Sequence, residues 1–178
     1  LESIYRAESK LGLIYQQTGR SLDAERVLGR LYQNQVDLQG EMHEDTVATA
    51  TKLTAVYTDL ENHIQAQRFG LIAVNGYTAL FGGDHYDTAL AVANLAYAYE
   101  AAGDFDLALK YLDSSTDSFR RLGYPRYAAT NLNKAGNIFH GLGDYLLAKE
   151  RFESAVELCE SVYGVEHSET MINRYCLG

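Results

Sequence analysis

The chain has 178 residues, the size of one ordinary domain, with 24 Asp and Glu against 15 Lys and Arg, a formal net charge of −9 and a pI near 4.9. That balance argues against a general nucleic-acid or anionic-membrane surface, since both need a basic field. No apolar run approaches the roughly 20 residues of a membrane span, and the first ten residues alternate in charge unlike a secretory signal, so the expected location is intracellular, in the cytoplasm.

Taken in order, the chain repeats itself. Residues 1–40 carry Ile4, Leu11, Gly12 and Tyr15 on one helical face, then a turn at Gly19, then Ala24, Val27, Leu28 and Leu31 on a second face. Glu8 stands where an apolar residue is usual, which suggests a frayed end or a missing preceding repeat. Residues 41–82 are the least regular unit: Glu61 replaces the turn glycine, and Gly70 sits where Leu28, Leu112 and Phe152 stand in the others. Glycine inside a helix costs roughly 0.5 to 1 kcal/mol relative to Ala, so close packing or a bend has to compensate. The second helix here, residues 64–80, is rich in apolar side chains. Leu71, Ile72 and Val74 are expected either between neighbouring repeats or in an intramolecular or oligomeric contact on the outer wall.

Residues 83–122 are the clearest copy. Val92, Leu95, Ala96, Tyr99 and Ala102 mark one helix, Gly103-Asp104 ends it, and Phe105, Ala108, Leu109, Leu112 and Phe119 mark an antiparallel second. In residues 123–164, Tyr124-Pro125 breaks the chain before a helix over residues 127–141, and a second helix follows over 145–163 with alternating charge outside its apolar stripe, an ordinary solvated face. Residues 165–178 begin a further unit, and neither end offers a polar capping face, so the expectation is a segment of a longer array.

Steps of 42, 42 and 40 residues align Leu11-Gly12, Leu53-Thr54, Leu95-Ala96 and Ala135-Gly136. In the same frame stand the rings Tyr15, Tyr57, Tyr99 and Phe139, and the small residues Ala24, Ala66, Ala108 and Ala148. The small residues let paired helices approach closely, and the ring fills the space between them. Large, small, aromatic and Ala at these offsets resemble the tetratricopeptide repeat (TPR). Three junctions start from Gly40, Gly82 and Gly164 and carry His43, His85 and His167 three residues on, with an acid and Thr following, and their spacing exceeds the usual 34. That lead is similar to the kinesin-light-chain type of TPR, also found in signalling ATPases of the STAND class, although Glu44, Tyr86 and Ser168 stand where the type has Pro. The resemblance implies an all-α, right-handed α-solenoid of about four and a half stacked antiparallel helix pairs, and a scaffold that binds protein partners.

The residues hold no catalytic constellation, phosphate loop or nucleophile motif, so no enzyme and no cofactor are expected. His43, His85 and His167 sit a helix pair apart, roughly 10 Å per layer, too far to share a metal; their expected task is to satisfy amides at helix starts. Cys159 and Cys176 fit neither a zinc spacing nor a disulfide framework and are read as thiols, the alternative being one bridge between neighbouring helices.

What remains is the inner groove, lined in stacked TPRs by the first helix of each pair. One residue before the aligned Leu the sequence presents Lys10, Lys52, Asn94 and Lys134, with Arg6, Ser9, Thr51, Tyr97, Asn133 and Asn137 nearby on that face. The resemblance places peptide-binding Asn residues at such positions. Four cations and three amides on one wall of an acidic chain point to an extended, acidic peptide as the partner: Lys10, Lys52 and Lys134 supply charge, Asn94, Asn133 and Asn137 read backbone, and Tyr97 gives apolar contact. The alternatives are a groove that is merely solvated or filled by the same polypeptide, a sensor segment of a STAND-type switch, and a rigid subunit of a large assembly.

Overall fold

In the computed structural model, which describes residues 2–164, 167 and 171, the chain forms eight helices. They are α1 (Glu2–Gln17), α2 (Ser21–Gln39), α3 (Glu44–Asp59), α4 (His63–Phe81), α5 (Tyr86–Ala101), α6 (Phe105–Arg121), α7 (Pro125–Gly141) and α8 (Tyr145–Tyr163). Each odd helix is paired with the even helix after it, and each even helix packs on the next odd one. The odd helix α3 also reaches α1 and α5, whereas consecutive even helices meet at most marginally. The stack is therefore tighter on its odd-helix side, which makes α1, α3, α5 and α7 the inner wall of an all-α solenoid. The partial unit expected after residue 164 lies almost wholly outside the described residues, as does Cys176; Cys159 is a buried thiol.

Local chemistry explains the punctuation. The turns inside three pairs place Gly19, Gly103 and Gly143 at φ near +80°, a region side chains resist, and Glu61 adopts it at φ 56° in the second pair. Asn62, Asp104 and Asp144 then cap the second helices, each accepting from the amide three residues on. At the junctions, His43 and His85 do what their spacing suggested: Nδ1 accepts from the amide of Asp45 and of Asp87, 3.3 Å in both cases. His167 is described, but the residues following it at that junction are not. The junction between α6 and α7 differs. Helix α7 begins at Pro125, two residues earlier than the sequence suggests, because a proline in the first turn loses no hydrogen bond and already has helical φ. A cluster of Tyr86, Phe119, Tyr124 and Tyr127 takes the place of the His lead there, with Tyr86 Oη donating to Tyr127 Oη at 2.8 Å.

The core is a row of close approaches. Leu28 lies over Gly12 and Phe152 over Gly136, so tightly that a methyl on either glycine would overlap its partner. Leu112 and Ala96 repeat the arrangement in the third pair. The second pair inverts it: Thr54 is the larger residue on the first helix and Gly70 the small one on the second, with Leu95 of the next pair pressing on Gly70 as well. Close packing by Thr54 and Leu95 is thus what offsets the propensity cost of Gly70. Ile72 and Val74 pack against the same core, while Leu71 remains 39% exposed. Nor is Glu8 the mark of a frayed end: its carboxylate accepts from Arg30 of α2 at 2.7 Å.

Candidate functional site

Helix periodicity places the expected groove residues on the inner wall, but the structure divides them into two halves. On α1, Arg6 and Lys10 are exposed, and among the described residues neither makes an ion pair. Lys52 on α3 is half-buried; Nζ donates only to the Ala48 carbonyl at 3.3 Å, and burial pulls its pKa below the usual lysine value, with Asp45 opposing the shift. Arg6 and Lys10 carry charge that no ion pair compensates among the described residues, and Lys52 carries charge that Asp45 offsets only through space. The other half is largely occupied. Lys134 on α7 pairs with Glu100 of α5 at 3.2 Å and sits 5.2 Å from the centre of the Tyr97 ring. Tyr97 Oη in turn donates to Asn131 Oδ1 at 3.0 Å, Asn131 Nδ2 donates to Ser115 Oγ, and Ser115 Oγ donates to the Ala89 carbonyl. Tyr97 therefore joins α5 to α7, and burial pushes its phenol up to about 12. Asn94 and Asn133 are half-buried and Asn137 is exposed; all three lie at this end.

The uncompensated half opens onto a cleft of about 530 Å³ between α1, the end of α2 and the start of α3. Arg6, Ser9 and Lys10 form its α1 wall, Gln35, Leu38 and Gln39 its floor, and His43 and Asp45 the α3 side. Gln35 was not legible as a site residue from one-dimensional pattern, yet it is the most informative of the set. It is 3% exposed, and its Oε1 has no hydrogen-bond partner among the described residues. A stranded buried acceptor of this kind costs about 1–3 kcal/mol. The repeat frame holds the clue that could have found it. Counting from the aligned Ala24, Ala66 and Ala108, Gln35 falls where α4 has Tyr77 and α6 has Phe119, both buried rings. Tyr77 stacks with Phe81 at 5.9 Å and Phe119 with Tyr127 at 5.0 Å, so those two junctions are filled where the first is open.

Among the described residues no group of three His, Cys, Asp or Glu could hold a metal ion, and no helix is long and apolar enough to cross a membrane. The repeating pair, its caps and its inner wall define a class of binding scaffold, and comparison with known proteins identifies it. Two models described as tetratricopeptide repeat match residues 45–121 and 129–161, and the chain belongs to the tetratricopeptide-repeat family. Its fold is that of kinesin-light-chain-like repeats: nearly identical TPR-like repeats from a Podosopora anserina protein assigned as a kinesin light chain superpose with a TM-score of 0.85 at 18% identity, covering 99% of this chain and 85% of that one. A Rap protein complexed with competence and sporulation factor superposes with a TM-score of 0.76 at 16% identity, over 97% of this chain and 47% of that one. In sequence, the clustered mitochondria protein homolog of Aspergillus clavatus is 25% identical over 156 residues, 86% of this chain. The chain spans about 12% of the length of that relative.

Proposed function

We propose that the inner wall of this solenoid holds an extended, acidic segment of a partner protein, and that the chain acts by binding rather than by catalysis. The observation that carries the reading is the set Arg6, Lys10 and Lys52: three cations on adjacent inner helices, none ion-paired among the described residues, in a chain whose net charge is −9. Among the described residues several other cations are neutralised, although Arg68, Lys110 and Arg120 also make no ion pair; what sets Arg6, Lys10 and Lys52 apart is that they share one wall. Arg30 meets Glu8, Arg121 meets Asp84, Lys134 meets Glu100 and Arg151 meets Asp113. Leaving three cations without an ion pair on one wall favours a ligand that brings carboxylates, both by steering its approach and by pairing after contact. Asn94, Asn133 and Asn137 continue the wall toward α7 and supply amides suited to a peptide backbone. Lys134 contributes through its pair with Glu100 rather than as an open charge.

The test uses 12-residue peptides selected from a random library on the intact protein, with affinity read by fluorescence anisotropy. Selected peptides are expected to be rich in Asp and Glu. Replacing Arg6, Lys10 and Lys52 together by Glu should abolish their binding at low salt, whereas Lys149→Glu on the outward-facing side of α8 should leave it unchanged. Unchanged affinity of the triple variant at low salt refutes the proposal.

A further inference from the structure

The cleft at the first junction does something the rest of the groove does not. We propose that it is the anchor that sets the register of the bound peptide: a main-chain N–H of the peptide donates to Gln35 Oε1, while a carboxylate side chain of the same peptide bridges Arg6 and Lys10. This rests on the acidic-peptide reading above and adds to it a fixed point of attachment.

Three independent features meet there. First, the cleft is a place where the repeat leaves out a ring. Tyr77 and Phe119 fill the corresponding positions, and Gln35 puts an amide in their place. Second, that amide is nine-tenths buried and lines the cleft, yet its oxygen is unpartnered. The torsion that turns a glutamine amide is broad and soft, so the oxygen can swing to meet a donor in the cleft with little strain. A peptide N–H supplies that donor, and burial makes the bond count for more than it would in water. Third, the walls have opposite character. The α1 side offers the guanidinium of Arg6 and the ammonium of Lys10, and the α3 side offers Asp45. A carboxylate of the ligand is drawn to α1 and repelled from α3, so the cleft sets the direction of the chain as well as its register. Tyr5 and Leu38 supply apolar wall for the peptide's own stem.

The experiment measures the selected 12-residue peptides against the intact protein and two variants. Gln35→Met keeps the volume and removes the acceptor. Gln35→Phe fills the cleft as Phe119 fills its own junction. The expected losses are about tenfold for Gln35→Met, the worth of one hydrogen bond, and about a hundredfold for Gln35→Phe. Both variants should melt at or above the wild-type temperature, because the stranded oxygen is gone; a residue with only a structural role would show the reverse. N-methylation of the anchoring peptide amide should weaken binding to the wild type about tenfold and leave binding to Gln35→Met unchanged. If both Gln35 variants bind as the wild type does while the triple Glu variant fails to bind, the anchor is overturned and the acidic groove stands. If the library yields no acid-rich binders, or the triple Glu variant binds them normally, the groove reading itself falls. Displacement of the peptide by inorganic phosphate at matched ionic strength, to the same extent from the wild type and from Gln35→Met, would show a simple anion site and overturn the anchor.

Discussion

Replacing Gly76 by Ala should destabilise the protein, against the direction that helix propensity alone suggests. In a helix interior the change is worth about 0.5–1 kcal/mol in favour of Ala. The tertiary surroundings work against it. A Cβ at position 76 would lie 2.4 Å from Val47 Cγ2, 2.9 Å from Cγ1 and 3.3 Å from Cβ, all well inside the normal carbon contact distance. Val47 is fully buried at the start of α3 and is stiff about χ1, so rotating it exchanges one methyl for the other and relieves nothing. Either α3 or α4 must shift. Overpacking of this kind costs about 1–3 kcal/mol, which leaves a net loss of up to about 2.5 kcal/mol after the propensity gain. Urea unfolding followed by far-ultraviolet circular dichroism measures it, and the double variant Gly76→Ala with Val47→Ala isolates the cause. The new methyl then occupies space that the valine vacated, so the two changes should be coupled favourably by at least about 1 kcal/mol. A higher urea midpoint for Gly76→Ala, or strict additivity in the double variant, would refute the reasoning.

Three further outcomes follow from the same geometry. Asn131→Leu removes the acceptor of Tyr97 Oη and should cost about 1–3 kcal/mol in urea unfolding, with Tyr97→Phe costing little more once Asn131 is gone. Glu61→Gly should raise the melting temperature, since Glu61 holds φ 56° at a turn where the other pairs have glycine; relief of about 1 kcal/mol is expected. The phenols of Tyr57, Tyr77 and Tyr97 are held up to about 12, burial being the first cause in each. A folded-state value above the unfolded 10.0 means that the folded state keeps a proton the unfolded state releases. The stabilisation is therefore complete below pH 10 and is lost between about pH 10 and 12. Tyrosinate absorbance should rise together with loss of helical signal in that window, and early ionisation of these phenols in a fully helical protein would contradict it.

The uneven groove also changes how charge variants should be designed. Lys134→Glu would place a second carboxylate against Glu100, so any loss of binding would be mixed with repulsion between α5 and α7. Arg6 and Lys10 carry no such internal partner and report on the ligand alone. Lys52 lies between the two cases: it pairs with no acid, but its burial means that removing the charge also relieves a desolvation cost.

What the residues by themselves determined is the unit and its repetition. Small residues at Gly12, Ala96 and Gly136, rings at Tyr57 and Tyr99, caps at Asp104 and Asp144, and His43 and His85 at the junctions all act within one helix pair or one turn, so their spacing in the chain is their spacing in space. Even the irregular Gly70 announced that close packing or a bend had to offset it. The inner wall was legible only as a list of faces, because helical period says which way a side chain points and nothing of what stands opposite. Glu100 silences Lys134 from 34 residues away, Asn131 claims Tyr97 across the same gap, and the cleft over Gln35 exists because Arg6, Leu38 and Asp45 come from three different helices. Pairing of charges, satisfaction of buried amides and the filling of a junction are decided between helices, at the point where the stack closes, and that is where the tertiary structure had the deciding part.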